Sequence, residues 1–209
     1  MTRPTLNHEE AWKKRGHQFI AGIDEAGRGP LAGPVCVAAV ILPAGFAHRD
    51  LNDSKQLSEK KRERIYEELT DSQEIHWSVV MADAAEVDAV NILQATYAAM
   101  RRAALMLEPQ PEIVLIDGRP VPNFPITQEA IVKGDSLSLS IAAASVIAKV
   151  TRDRFMLEAA QQHPHYGFEK HKGYGTSEHL AALRRHGPCP LHRRSFAPVA
   201  EVSHMFDTP

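Results

Sequence analysis

Cysteine is scarce in this chain. Cys36 and Cys189 are the only two, too few for a disulfide framework, so a reducing compartment is expected. Long apolar runs are missing as well. The longest, Val35 to Leu42, falls far short of the roughly 18 residues that a membrane-spanning helix needs. The opening ten residues, Met1-Thr-Arg-Pro-Thr-Leu-Asn-His-Glu-Glu, lack the apolar core of a secretory signal, and a cytoplasmic location without membrane attachment is expected. Aromatic residues make up only 6%, which disfavours an aromatic-lined sugar cleft. No sign of charge dominates: 24 Lys and Arg against 26 Asp and Glu give −2. A near-neutral total leaves a nucleic-acid partner open, because contacts depend on where charges lie.

What is present is an ordinary globular composition. The 209 residues are 44% hydrophobic and 24% charged, which excludes disorder, collagen-like repeats and a coiled coil. The length suits one domain with an ample core and room for a small appendage. From Gln161 to Ser195 six Lys and Arg face only Glu169 and Glu178, and six of the eleven histidines also lie there. That fifth of the chain is locally basic.

The hydrophobic pattern predicts five strands. His17–Asp24 ends in acid and glycine. Val35–Leu42 is apolar throughout and closed by Pro43. Glu74–Met81 alternates, with Ile75, Trp77, Val79 and Met81 on one face. Glu112–Ile116 reads as a strand buried on both sides, and Ala130–Val132 as a short one running into Lys133-Gly134-Asp135. Between them the spacing predicts helices. Ser58 caps one that runs to Leu69. Asn91 and Gln94 resemble a capping box ahead of a stripe of Leu93, Tyr97, Met100, Ala104 and Leu107. A helix rich in small residues spans about Ser140 to Gln161. This order reads as an α/β fold with a mixed five-stranded sheet.

The chemistry concentrates in Asp24-Glu25-Ala26-Gly27-Arg28-Gly29-Pro30-Leu31-Ala32-Gly33. Apolar strands seldom end in two adjacent carboxylates. Neighbouring side chains on a regular strand point to opposite faces, so both acids serve one site only if Glu25 lies just past the ladder. Asp117 and Asp135 also follow apolar runs, and strands about 4.8 Å apart can bring such acids together. Crowded carboxylates repel and need a cation to stay ionised; hard oxygen donors favour Mg²⁺ or Mn²⁺. Taken singly, each acid also suits a turn or a helix cap. A dinucleotide-binding loop fails here, because Gly27, Gly29 and Gly33 are one residue too widely spaced and the acids would repel a pyrophosphate. Backbone N–H groups at Gly27-Arg28-Gly29 suit close approach to a sugar-phosphate, and Arg28 suits pairing with a nearby acid equally well. Zinc at His163-Pro164-His165 or Cys189-Pro190-Leu191-His192 lacks a second thiol pair, and the histidines are read as surface groups.

These segments resemble a known family. The stretch from Asp24 to Val35, Leu51-Asn52-Asp53-Ser54-Lys55, Ile116-Asp117-Gly118, Lys133-Gly134-Asp135, Ala142-Ala143-Ala144-Ser145, Ala148-Lys149-Val150-Thr151-Arg152-Asp153, His171-Lys172-Gly173-Tyr174-Gly175-Thr176 and Arg194-Ser195-Phe196-Ala197-Pro198-Val199 closely resemble bacterial ribonuclease HII, a type 2 ribonuclease H. The likeness runs from about residue 18 to 199. The sister ribonuclease HIII has a long N-terminal extension and a different fourth acid, whereas Asp135 fits the HII pattern. The resemblance implies an RNase H-like fold over 17–160, a C-terminal helical extension over 161–209 on the substrate side, and loose segments at 1–16 and 200–209.

It further implies cleavage of RNA in RNA–DNA hybrids and at single ribonucleotides in duplex DNA. Asp24, Glu25, Asp117 and Asp135 would be the catalytic acids and hold Mn²⁺ or Mg²⁺. The Gly27-Arg28-Gly29 backbone and Tyr174 would read the ribose 2′-OH, a group DNA lacks. Asn52, Ser54 and Lys55 would hold phosphates, joined by Lys149, Lys172 and the late arginines. Lys149 equally suits a solvated helix face. A monomer is expected; no sliding-clamp peptide is read, and contact with replication or transcription machinery is left open. The competing classes are a glycoside hydrolase, which uses paired acids without metal, and a non-catalytic hybrid binder, which would gain nothing from acids set against phosphate.

Overall fold

The computed structural model describes residues 3–206. The chain divides into two compact units. The first runs through Ala26 and takes in Cys36–Val80 and Tyr97–Val150. The second comprises Gly27–Val35, Met81–Thr96 and the chain from Thr151 onward. The boundaries differ from the expected division at residue 160, because the glycine-rich loop after the first strand packs with the C-terminal part rather than with the sheet.

Five strands form one sheet: β1 (Ile20–Ala26), β2 (Val35–Ile41), β3 (His76–Ala82), β4 (Ile113–Asp117) and β5 (Thr127–Ile131), in the order β3-β2-β1-β4-β5. β1 pairs antiparallel with β2 and parallel with β4, and β4 pairs parallel with β5. The mixed sheet is as the sequence predicts. Every residue of β2 is buried. Burying a Val or Ile side chain contributes about 1.5–3 kcal/mol, so this inner strand adds substantially to the core of the unit.

Eight helices accompany the sheet among the described residues: α1 (Asn7–Lys13), α2 (Glu59–Thr70), α3 (Ala84–Val90), α4 (Ile92–Leu105), α5 (Leu139–Gln162), α6 (Phe168–His171), α7 (Ser177–His186) and α8 (Ala197–Phe206). Ser58 caps α2 by accepting the Lys61 N–H. Asn91 Oδ1 accepts the N–H groups of Leu93 and Gln94. α5 begins against β1. A side chain on Gly22 would start 2.2 Å from the backbone of Ser140 and Ile141, so only glycine permits this approach. The small residues of α5 from Ser140 to Ala148 are all buried as a result.

Three expectations are corrected. Residues 7–13 are a helix, not a loose tail. Trp12 Nε1 donates to Glu129 at 2.6 Å, and buried Glu9 accepts from Ser138 Oγ, Ser140 N and Ser140 Oγ. These ties are polar, so hydrophobic periodicity does not reveal them. Residues 197–206 form α8, with Val199 and Val202 buried; positions 1–2 and 207–209 lie outside the described residues. On β3 the inward face is Ser78 and Val80 rather than Trp77 and Met81, which are 39% and 38% exposed. Ser78 Oγ donates to the Ala103 carbonyl of α4 at 2.7 Å, a contact that needs a small polar residue there. Of the predicted stripe, Met100, Ala104 and Leu107 are buried as expected, joined by Ala99 and Ala103, while Leu93 at the start of α4 is exposed.

Candidate active site

The β1–β4 register pairs Ile23 with Ile116, so the next residues, Asp24 and Asp117, lie side by side at the ends of parallel strands. Asp135 reaches them through a turn after β5. Lys133 takes a left-handed conformation at φ 58°, and Gly134 donates its N–H to Asp117 Oδ1 at 2.7 Å. One carboxylate oxygen from each of Asp24, Asp117 and Asp135 lies within 4.8 Å of the other two.

Burial holds the Asp24 carboxyl well above its ordinary value, reinforced by Glu25 and Asp117 and opposed by a hydrogen bond from Ser145. Asp135 rises to about 6, through burial first and then Asp53 and Asp117, against the pull of Lys55. Burial draws Lys55 down, but Asp24, Asp53, Asp135 and Asp117 outweigh it, and its ammonium is held above the ordinary lysine value. Within this unit two lysines, Lys55 and Lys133, stand against the carboxylates of Asp24, Asp53, Asp117 and Asp135. Such an excess of hard, crowded oxygen donors fits a divalent cation such as Mg²⁺ or Mn²⁺.

Glu25 is placed differently from the expectation. It sits inside the ladder, paired with Val37, and is not one of the three acids whose oxygens converge. Asp53, which carried no predicted role, is a further acid of the cleft. It accepts the Lys55 N–H at 2.9 Å in a tight turn at Ser54–Gln56. A cavity of about 500 Å³ is lined by Asp53, Lys55, Asp117, Lys133 and Asp135. The Asp-x-Lys spacing is the signal that could have singled out Asp53; Lys133 stands in the Lys133-Gly134-Asp135 segment but drew no role of its own. Asn52 Oδ1 accepts the Asp53 N–H. Ser54 is buried, and its hydroxyl lies 2.9 Å from Ser145 Oγ, so it supports the helix residue that bonds Asp24 instead of facing a phosphate.

The remaining predicted residues belong to the second unit, apart from Lys149, which is half-buried on α5 in the first. Gly27 has φ 97°, and a Cβ there would meet Arg152 Nε at 2.0 Å. The loop it starts is held by two buried arginines. Arg193, wholly buried, donates to the carbonyls of Gly27, Arg28, Pro30 and Gly33. Arg152 donates to those of Pro34, Lys172 and Ala32. Burial and the nearby Arg152 lower Arg193 to about 9, still cationic at neutral pH. Arg193 is therefore unavailable to phosphates, contrary to the expectation for the late arginines.

Tyr174 is 47% exposed, and its ring lies 3.7 Å from where a side chain on Gly29 would begin. Lys172 Nζ donates to the Glu169 carbonyl. The expectation of surface histidines fails for His171, His179 and His192, which are all buried; aromatic packing by Tyr166 and Phe168 encloses them. No helix among the described residues is long and apolar enough to cross a membrane.

The fold has close counterparts among solved structures. The ribonuclease H2 of Pyrococcus horikoshii OT3 superposes with a TM-score of 0.77 at 24% identity, covering 92% of this chain and all of that one (100%). The ribonuclease HII of Archaeoglobus fulgidus, solved as a complex with PCNA, gives 0.70 at 25% identity over 86% of this chain and 95% of its own. Bst-RNase HIII, solved in complex with Mn²⁺, gives 0.70 at 18% identity over 91% and 71%. Fold and acid cluster together define an α/β nuclease of the ribonuclease H class.

Sequence comparison is more specific. The ribonuclease HII of Desulfitobacterium hafniense (strain DSM 10664 / DCB-2) is 54% identical over 196 residues, 94% of this chain and 75% of that protein. That of Endomicrobium trichonymphae is 54% identical over 189 residues, 90% of each. The family model for ribonuclease HII matches residues 21–199, and the chain belongs to this family. It is a ribonuclease H, acting on RNA–DNA hybrids.

Proposed function

We propose that this enzyme is an endonuclease that hydrolyses the RNA strand of hybrids and also cuts 5′ to single ribonucleotides embedded in duplex DNA, leaving 5′-phosphate and 3′-OH ends. The convergence of Asp24, Asp117 and Asp135 within 4.8 Å carries the reading. Asp24 and Asp117 would hold Mn²⁺ or Mg²⁺ as core ligands, with Asp135 completing the shell; Glu25, which pairs with β2 but lies beyond the β1–β4 pairing and acts on the Asp24 carboxyl, would join it. A bound divalent cation supplies charge to the phosphodiester oxygens in the transition state and lowers the pKa of an attacking water. Attack by water, rather than by the neighbouring 2′-OH, gives the stated ends.

The chain's own groups orient the substrate. Lys55, kept cationic by the surrounding acids, offers Nζ to a backbone phosphate, and the Asn52–Ser54 turn presents it. Lys149 and Lys172 extend the phosphate contacts, so affinity falls with salt. Arg193 takes up the carbonyls of Gly27, Arg28 and Pro30. The Gly27-Arg28-Gly29 backbone would then meet a ribose 2′-OH, with Tyr174 packing on the adjoining deoxyribose. The enzyme is read as a cytoplasmic monomer.

The test is a duplex DNA carrying one ribonucleotide, incubated with Mn²⁺ and with EDTA. One incision 5′ to the ribonucleotide, leaving an end that a polymerase extends and absent in EDTA, is expected. Cleavage that survives EDTA, or that leaves 2′,3′-cyclic phosphate, would refute the reading.

A further inference from the structure

Three histidines of the second unit lie beneath the loop that carries Tyr174. His171, His179 and His192 are 9%, 0% and 2% exposed. The His171 and His179 rings stack with centroids 4.6 Å apart. Tyr166 packs 4.8 Å from His192, and Phe168 lies 5.4 Å from His179. A polar ring enclosed by aromatics needs its nitrogens matched, and here the partners dictate which nitrogen carries the hydrogen.

The Tyr174 carbonyl lies 2.9 Å from His179 Nδ1. A carbonyl only accepts, so Nδ1 holds the hydrogen and Nε2 is bare. That Nε2 sits 3.0 Å from His192 Nε2, which must then be the donor. His192 Nδ1, bare in this tautomer, accepts the Cys189 N–H at 3.0 Å, with Cys189 Sγ at 3.2 Å. His171 is fixed in the same way: Nε2 donates to the Tyr166 carbonyl at 2.9 Å, and Nδ1 accepts the Gly173 N–H at 3.2 Å. Burial holds His179 below its ordinary value, and burial together with His179 takes His192 to about 3. Both rings are therefore neutral at physiological pH, as the bonding requires.

The chain of bonds from Cys189 to Tyr174 runs one way only. Reversing the His179 donor would set a bare ring nitrogen against the Tyr174 carbonyl, which would keep only the Thr176 N–H, and reversing His192 would set a hydrogen against the Cys189 N–H. The His179 bond is the side-chain tie of this segment to α7, beside the backbone bonds of Tyr174 N–H to the His171 carbonyl and of Thr176 N–H to the Tyr174 carbonyl. Tyr174 is flanked by Gly173, at φ 84°, and by Gly175, and glycine peptides reorient readily.

We infer that His179, oriented in turn by His192, is a positioning residue for ribose recognition: together with the Thr176 N–H it holds the Tyr174 carbonyl and so keeps the phenol ring beside Gly29. The inference rests on Tyr174 being the reader proposed above.

The experiment compares His179→Leu, which fills similar space without a donor, with His179→Asn, whose amide keeps a donor at the Nδ1 position. kcat and KM are measured on a duplex with one ribonucleotide, in the native background and with Tyr174→Ala, and thermal unfolding is followed for each variant. His179→Leu should lower kcat about tenfold, the order of one buried hydrogen bond, with KM moving less than about twofold. His179→Asn should recover most of that loss, and His179→Leu should add nothing once Tyr174 is alanine. If His179→Leu does not fold, His192→Asn carries the test. It keeps an acceptor for Cys189 and removes only the donor to His179, so it should lower kcat in the same Tyr174-dependent way.

Several outcomes overturn the inference: a normal kcat in the folded His179 or His192 variant beside an impaired Tyr174→Ala, additive losses in the double variant, or no recovery with His179→Asn. A Tyr174→Ala enzyme that cleaves normally removes the reader itself and the inference with it.

Discussion

Replacing Arg193 with methionine tests whether the glycine-rich loop is built from behind. The guanidinium makes five hydrogen bonds to four carbonyl oxygens, at 2.6 Å to Gly27, 2.9 Å to Arg28, 2.8 Å to Pro30 and 3.0 and 2.9 Å to Gly33. Methionine fills much of the stem's volume and offers no donor. Hydrogen bonds to a charged group are worth about 1.5–3 kcal/mol each, and they do not add when one group makes them all. Relief of the buried charge offsets part of the loss, as the lowered pKa of about 9 indicates. The expected net destabilisation is about 4 kcal/mol, in the range for breaking a buried charged arrangement. For a chain of this size that lowers Tm by about 10 °C. Arg193→Lys keeps the charge without the planar fork and should recover less than half. The assay is thermal and urea unfolding of the three proteins, with cleavage measured at a temperature where all are folded. An Arg193→Met protein within about 1 kcal/mol of the native one would show that water satisfies those carbonyls equally well, and the reasoning would fail.

Asp24→Asn should abolish cleavage in Mn²⁺, by about a thousandfold or more, while raising metal-free Tm, because the carboxylate it replaces is buried among like charges. A folded variant with near-native turnover would end the metal proposal. Asp135→Asn isolates one titration. The native Asp135 value, about 6, lies above the ordinary aspartate value of 3.8, so its destabilising charge is absent below pH 4 and fully felt above 6. Without metal the variant should match the native enzyme near pH 4 and exceed it in Tm at pH 7; a gap that does not change with pH would contradict this. Gly27→Ala should cost about 3 kcal/mol or more, since its Cβ would lie 2.0 Å from Arg152 Nε and 2.8 Å from the Pro34 carbonyl. Gly45→Ala, also at positive φ but with nothing within 4 Å, should cost only about 1 kcal/mol. Equal losses in urea unfolding would mean that φ, and not crowding, governs both sites.

What the sequence discloses and what it conceals follow from the range of each interaction. The apolar run of β2, the Ser58 and Asn91 caps and the small residues of α5 are local signals, and each is found in place. The convergence of Asp24, Asp117 and Asp135 is legible because each acid lies at or just beyond the carboxyl-terminal part of its own strand. Glu25 is harder, since whether it lies within the ladder depends on how far β2 continues alongside, and pairing with Val37 decides it. The inner face of β3 eludes periodicity because Ser78 is buried through a bond to a helix carbonyl, while Trp77 and Met81 face outward. Arg193 and the buried histidines are concealed most thoroughly. A basic residue in a basic stretch reads as solvent-facing, and only the backbone carbonyls that gather round it in the fold reverse that reading.

The Glu9 carboxylate has a consequence for how this protein is handled. It is the acceptor for the Ser140 amide and for the hydroxyls of Ser138 and Ser140, and Thr5 exchanges backbone hydrogen bonds with Leu137 and Leu139 on either side of Ser138. Trimming the first dozen residues as dispensable would strip these donors of their acceptor, only three and five residues along the chain from Asp135. Damage done at the amino end would then surface as a misplaced ligand, and an inactive shortened form would say nothing about whether the acids themselves are sound.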